Sequence, residues 1–254
     1  MSATPAGELI LDGDVLQAGD PDYDGARRVF NLIHDRHPAA IVRCASERDV
    51  AAALGYAAAR RRSVCVRAGG HSTPGLSVID DAVVIDVRRL KEVDIDPAAR
   101  TARVGAGLTW GELDAATQQH GLAVTGGRVT TTGIAGLTLG SGSGWLERMM
   151  GLTPDNLLAM RVVTADGRTV VASAAENADL FWALRGGGGQ FGVVTEFTFR
   201  LIPLGPVVRG GMRLYPFARA AEVARAYAAV MALAPDELCG GLAFLSAPPA
   251  PFVP

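Results

Sequence analysis

Hydrophobic and polar positions along the chain divide it into short, mixed elements. Two brief apolar runs, residues 39–44 (AAIVRC) and 63–70 (SVCVRAGG), flank an alanine-rich stretch with apolar residues at helical spacing. Ser46 and Asp49 open that stretch at capping-box spacing, and Arg60, Arg61 and Arg62 close it, where cations suit the negative end of a helix dipole. Residues 39–70 therefore read as strand, helix, strand.

Three more strands are predicted at 82–87 (AVVIDV), 91–96 (KEVDID) and 101–107 (TARVGAG), the last two joined by a turn-like PAAR. Thr109 and Glu112 repeat the capping-box spacing and predict a helix that runs to His120 and stops at Gly121. In AMRVVTADGRTVVAS, Asp166-Gly167 lies between two alternating runs and predicts a hairpin. Asn177 or Asp179 then starts a helix over ADLFWALR. Past residue 205 the pattern changes to GPVVRGGMRLYPF, a helix AEVARAYAAVMALA and GGLAFLSAPPAPFVP. One helix and two strand candidates bury too little apolar surface to stand alone. The chain thus divides into an N-terminal arm (1–36), a main α+β domain (37–205) and an incomplete second domain (206–254).

Composition changes this picture in one respect. Thirty-one glycines exceed the roughly 18 of average usage. They gather in four connections, at 67–75 (RAGGHSTPG), 104–107 (VGAG), 125–144 (TGGRVTTTGIAGLTLGSGSG) and 185–192 (RGGGGQFG). Backbone bare of side chains at element ends points to close approach of a ligand. A net charge of −2 with interspersed signs gives no basic stripe for a nucleic-acid backbone. The N-terminus lacks the basic and apolar regions of a signal peptide, and no run of about 20 apolar residues follows, so a cytoplasmic protein off the membrane is expected. Cys44, Cys65 and Cys239 show neither pairing nor metal-ligand spacing and read as buried free thiols.

Among glycine-loop chemistries, the dinucleotide fingerprint GxGxxG fails at Trp110, where the third glycine would pack helix on strand. No glycine cluster carries the Lys and Ser/Thr of a phosphate-binding P-loop. Ser141 and Ser143 in GSGSGW only loosely resemble a nucleophile elbow: neither has glycine two residues away on both sides, and Ser143 follows no clear strand. That leaves His71, set after two glycines at a strand end, where an imidazole would project into the space enclosed by the loop. His34, His37 and His120 have no such setting.

The ordered motifs RAGGHS, GLAVTGGRVTTTGIAGLTLGSGSGW, GLTPDN and LFWALRGGGGQFGVVTEF resemble the FAD-linked oxidases with a PCMH-type FAD-binding domain, of the 6-hydroxy-D-nicotine oxidase and berberine bridge enzyme kind. The resemblance covers roughly residues 18–205 and implies two α/β subdomains around FAD, followed by the start of an α/β substrate domain that is cut short. It implies a covalent bond from His71 to the 8α carbon of the flavin, with Arg67, Ala68, Gly69, Gly70, Ser72 and Gly75 in the same loop. Gly126, Thr131, Thr132, Gly133, Gly136, Ser141 and Gly142 are further implied flavin contacts, as are Asp155, Asn156 and Val194. Doubly linked relatives carry a cysteine just before this glycine-rich segment; here Val129 or a neighbour stands there, so a single link is expected. The implied activity is that of an oxidase, which takes hydride from an alcohol, sugar or amine and gives electrons to molecular oxygen. The alternative is a flavin-binding fragment without turnover of its own. Tyr215 opens the second domain but reads as a packing residue, and no catalytic base is assigned.

Overall fold

A computed structural model describes residues 9–246. Its first unit comprises β1 (Asp14–Leu16), α1 (Tyr23–Arg27), β2 (Ala40–Arg43), α2 (Glu47–Ala59), β3 (Val64–Arg67) and β4 (Val83–Asp86). The strands form one sheet in the order β1-β2-β4-β3, with β2 and β3 both parallel to β4 and β1 antiparallel on the edge. The strand–helix–strand reading of 39–70 holds element by element, but its two strands are not neighbours, because β4 lies between them. All four residues of β4 are buried, as expected of a central strand covered on both faces. Val50, Ala53 and Ala57 of α2 join Val42, Val83 and Ile85 in the core.

Ser46 caps α2 by accepting the Asp49 amide at 3.3 Å. Asp49 itself is fully buried and accepts amide N–H groups from Asp12, Gly13 and Ala45 at 2.8, 2.9 and 2.8 Å, so it ties down the chain before β1.

The second unit contains β5 (Val93–Asp96), β6 (Thr101–Gly105), α3 (Trp110–Gln118), β7 (Leu122–Ala123), α4 (Ile134–Leu139), α5 (Glu147–Met150), β8 (Leu157–Val163), β9 (Thr169–Ser173), α6 (Ala178–Leu184), β10 (Val193–Arg200) and β11 (Ile202–Pro203). Five strands make an antiparallel sheet ordered β5-β6-β10-β8-β9, and β11 pairs with β7. The Asp166-Gly167 hairpin joins β8 to β9 with Gly167 at φ +80°. The Thr109–Glu112 capping box is complete: each amide donates to the other side chain, at 2.8 and 3.4 Å. α3 ends at Gln118, short of the expected His120, with the Gly121 stop in place. Trp110, Phe197 and Phe199 anchor this core, the two phenyl rings stacked at 5.8 Å.

The two units are joined by a charged clamp. Arg161 on β8 donates to both Glu47 carboxylate oxygens at the start of α2, at 2.8 and 2.6 Å, and Thr195 Oγ1 on β10 donates to the same group at 2.7 Å. The Arg161 guanidinium holds the Glu47 carboxyl below its usual range. Such a group stabilises the fold above the ordinary glutamate pKa and loses that contribution as pH falls through its depressed value. Arg161→Ala is therefore expected to cost about 1 kcal/mol near pH 7 for a pair this exposed. The deficit should shrink below about pH 4, read from melting curves of both chains across pH; an equal deficit at every pH would contradict the clamp.

Beyond β11, α7 (Ala220–Leu233) forms as expected and buries none of its residues. Arg148 caps its C-terminal end by donating to the Met231 and Ala234 carbonyls, both at 2.8 Å. The strand candidates on either side of α7 form no strand among the described residues, and 247–254 lie outside them. A strand needs a partner, and neither segment finds one. No described helix is long and apolar enough to cross a membrane.

Candidate cofactor site

The connection after β3 carries His71, and close backbone approach fixes its place. A methyl group on Gly69 would fall on the Gly133 amide nitrogen and 2.7 Å from its Cα; one on Gly133 would lie 2.8 Å from Gly69 Cα. The two glycine loops touch backbone to backbone, which only residues without Cβ permit. Residues 132–134 are stitched in turn to the entrance of α3, through Trp110 N–H to Thr132 O and Ile134 N–H to Leu108 O, both 2.9 Å. Gly107 packs against the backbone at Val87 and Arg88. Three of the four glycine connections thus converge. The fourth meets another turn: Arg185 donates to Pro154 O at 2.9 Å and to Asp155 at 3.2 Å.

The His71 imidazole is half-buried, its Nε2 hydrogen-bonded to Thr131 Oγ1 at 3.0 Å. Its face stacks on Phe30, with centroids 4.2 Å apart and planes 17° from parallel. Burial pulls its pKa below the ordinary histidine range, so the ring is mostly neutral at pH 7 and a nitrogen lone pair is available. Arg67, two residues into the core from Gly69, donates to the carbonyls of Ala26 and Arg28; burial pushes its guanidinium down to about 10.

The remaining candidates separate into groups. Ala68 is buried beneath the loop, and Ser72 Oγ accepts the Leu76 amide at 3.1 Å, closing the turn in which Gly75 packs on the His34 ring. Gly126 lies against the Trp110 indole, and Gly142 against Leu137 and Thr153. Gly136 is exposed, with nothing within 4 Å of where its Cβ would stand, and Ser141 holds φ +107°. Asp155 Oδ2 accepts the Leu152 amide at 2.9 Å, while buried Asn156 donates to Met150 and Leu152 carbonyls at 3.1 and 3.0 Å. Val194 is buried in β10 opposite Val162.

A cavity of about 400 Å³ opens beside the converged loops. It is lined by Gly69, Gly107, Thr109 and Thr131 together with Arg43, Arg88, Arg89, Lys91 and Asp86. Four cations to one carboxylate, next to glycine backbone, suit a diphosphate. Partners steady all four: Arg43 on Asp14 and Asp22, Arg88 on Asp86, Arg89 on Asp14 and Lys91 on Glu112. In sequence RRLK reads as an ordinary charged turn, and only its place directly after a buried strand signals otherwise. Six buried polar side-chain atoms have no partner among the described residues, and three of them, Trp110 Nε1, Thr125 Oγ1 and Thr138 Oγ1, lie in or against residues 125–144. Orphaned donors beside an open glycine surface and a cationic cleft fit a bound dinucleotide such as FAD. A larger cavity, about 610 Å³, is lined by Tyr215, Phe217, Tyr227 and Phe244 of the later segment and by no glycine-loop residue.

A sequence profile described as FAD binding domain matches residues 38–173. (R)-6-hydroxynicotine oxidase of Paenarthrobacter nicotinovorans is 37% identical over 204 residues, 80% of this chain and 44% of that protein. The crystal structure of 6-hydroxy-D-nicotine oxidase from Arthrobacter nicotinovorans superposes with a TM-score of 0.75 at 36% identity, covering 80% of this chain and 44% of the other. Physcomitrella patens BBE-like 1 gives a TM-score of 0.73 at 36% identity, covering 75% and 42%. The chain spans less than half the length of these relatives.

Proposed function

The chain belongs to the FAD binding domain family, and from that premise we propose that it carries the flavin-holding domain of an FAD-linked oxidase anchored by a single covalent bond to His71. The observation that carries this reading is the contact of Gly69 with Gly133, which brings His71 onto Thr131 at the mouth of a cationic cleft. Thr131 holds Nε2, and Nδ1 has no hydrogen bond among the described residues. Amides of Gly69, Gly70 and Ser72, with Arg88, Arg89 and Lys91, would hold the diphosphate of FAD, and Thr132, Gly133, Gly136, Ser141 and Gly142 would supply further contacts to the flavin. The domain runs over 37–205, with 1–36 as its arm.

A single link is supported by the thiols. Val129 is exposed where a second attachment would need a cysteine, and Cys44 and Cys65 are buried, with burial pushing the Cys65 thiol up to about 11. Three unpaired cysteines also accord with a reducing, cytoplasmic setting. Bound flavin supplies hydride acceptance from a C–H beside an alcohol, hemiacetal or amine, with molecular oxygen as the final acceptor. The protein's part is to fix the ring, neutralise the diphosphate and hold His71 neutral.

The test is peroxide release from the FAD-loaded chain with sugars, alcohols and amines. Release with one class supports the oxidase. Tight flavin binding with no release from any class favours a flavin-binding fragment without turnover, and failure to bind FAD at all overturns both.

A further inference from the structure

The arm before β2 precedes the stretch that the FAD profile matches, 38–173, yet it supplies a direct neighbour of His71. Phe30 stacks on the imidazole at 4.2 Å, its amide donates to Gly70 O at 3.0 Å, and Asn31 Nδ2 donates to Thr73 O at 3.3 Å. Arg67 reaches back to the Ala26 and Arg28 carbonyls, so the arm backbone is held on both sides of the ring. Phe30 is nonetheless 66% exposed and belongs to neither core cluster. A large apolar ring held by its backbone while mostly open to solvent is not explained by burial. What it does touch is the face of one imidazole.

We propose that Phe30 is a positioning residue for covalent attachment of the flavin, its phenyl face fixing the plane of the His71 imidazole. The inference rests on the covalent reading of His71. In the net step an imidazole nitrogen bonds to the 8α methyl carbon; the methyl C–H and imidazole N–H are lost, and their two protons and two electrons reduce molecular oxygen to hydrogen peroxide. The attacking lone pair lies in the plane of the ring. Thr131 restrains one edge and the phenyl face removes rotation of that plane, so the lone pair keeps one direction.

The test separates binding from attachment. The apo-chain is mixed with FAD; affinity is read from flavin fluorescence at early times, and attachment from the yellow colour retained in acid-precipitated protein over time. Phe30→Leu should bind FAD as wild type does but attach it about tenfold more slowly. Phe30→Tyr, which keeps the stacked face, should restore the rate, and Phe30→Ala repeats the slow result from a smaller side chain. A Phe30→Leu rate equal to wild type overturns the proposal alone. A loss of affinity matching the loss of rate, or no rescue by Phe30→Tyr, makes Phe30 merely structural and overturns it too. Wild type that retains no flavin in acid overturns the covalent reading itself.

Discussion

Replacing His71 with alanine is expected to leave a chain that binds FAD reversibly and releases all of it on acid precipitation, whereas wild type keeps its colour in the pellet. The cleft, the touching glycine loops and the cationic turn remain in the variant, so non-covalent binding survives. The cost to the fold is modest. The ring is half-buried, and what goes is one hydrogen bond to Thr131 and one stack on Phe30, together roughly 1–2 kcal/mol. An imidazole substituent withdraws electron density from the flavin, so the variant's reduction potential should also fall, measured by dye-coupled titration. Yellow supernatant from wild type would remove the basis of the claim.

Gly69→Ala is expected to damage the molecule more. The added methyl meets the Gly133 amide nitrogen and Cα, backbone atoms held by the bonds from Leu108 and Trp110, and no side-chain rotation relieves it. Overpacking of this kind costs about 1–3 kcal/mol, and the loops must part, which carries His71 away from Thr131. Both the melting temperature and FAD retention should fall. Gly136→Ala provides the contrast. Gly136 sits in α4 with open space at its Cβ position, and alanine is the better helix former by about 1 kcal/mol. The apo-chain should therefore melt no lower than wild type while its FAD affinity drops, because the methyl occupies space proposed for the flavin. Unchanged affinity in Gly136→Ala would exclude that glycine from the site.

These two glycines mark the limit of what was legible. Both stand in glycine-rich stretches that read simply as ligand-approach loops, yet one is required by a second stretch of backbone and the other faces open space. Elements set by local chemistry were readable: the caps at Ser46 and Thr109, the Asp166-Gly167 hairpin and the helix at 220–233 all form where their spacing predicts. α4 was hidden because glycine density at 125–144 masked a two-turn helix. The strands expected on either side of α7 are unpaired, since strand formation depends on a partner that local pattern does not reveal.

Sequence by itself determined the family, because four motifs in order are a property of the chain, and it determined His71 as the residue of interest. Only the tertiary structure decided what surrounds that histidine. The insertion of β4 between β2 and β3, the antiparallel order of the second sheet, the Glu47–Arg161 clamp, the cationic cleft and the Phe30 stack all join residues far apart in the chain. Arg67, read as part of a cofactor loop, directs its guanidinium to the arm that carries Phe30. The reason is physical: capping and turn formation are settled within a few residues, whereas strand order, buried charge and ring stacking depend on which distant surfaces exclude water together.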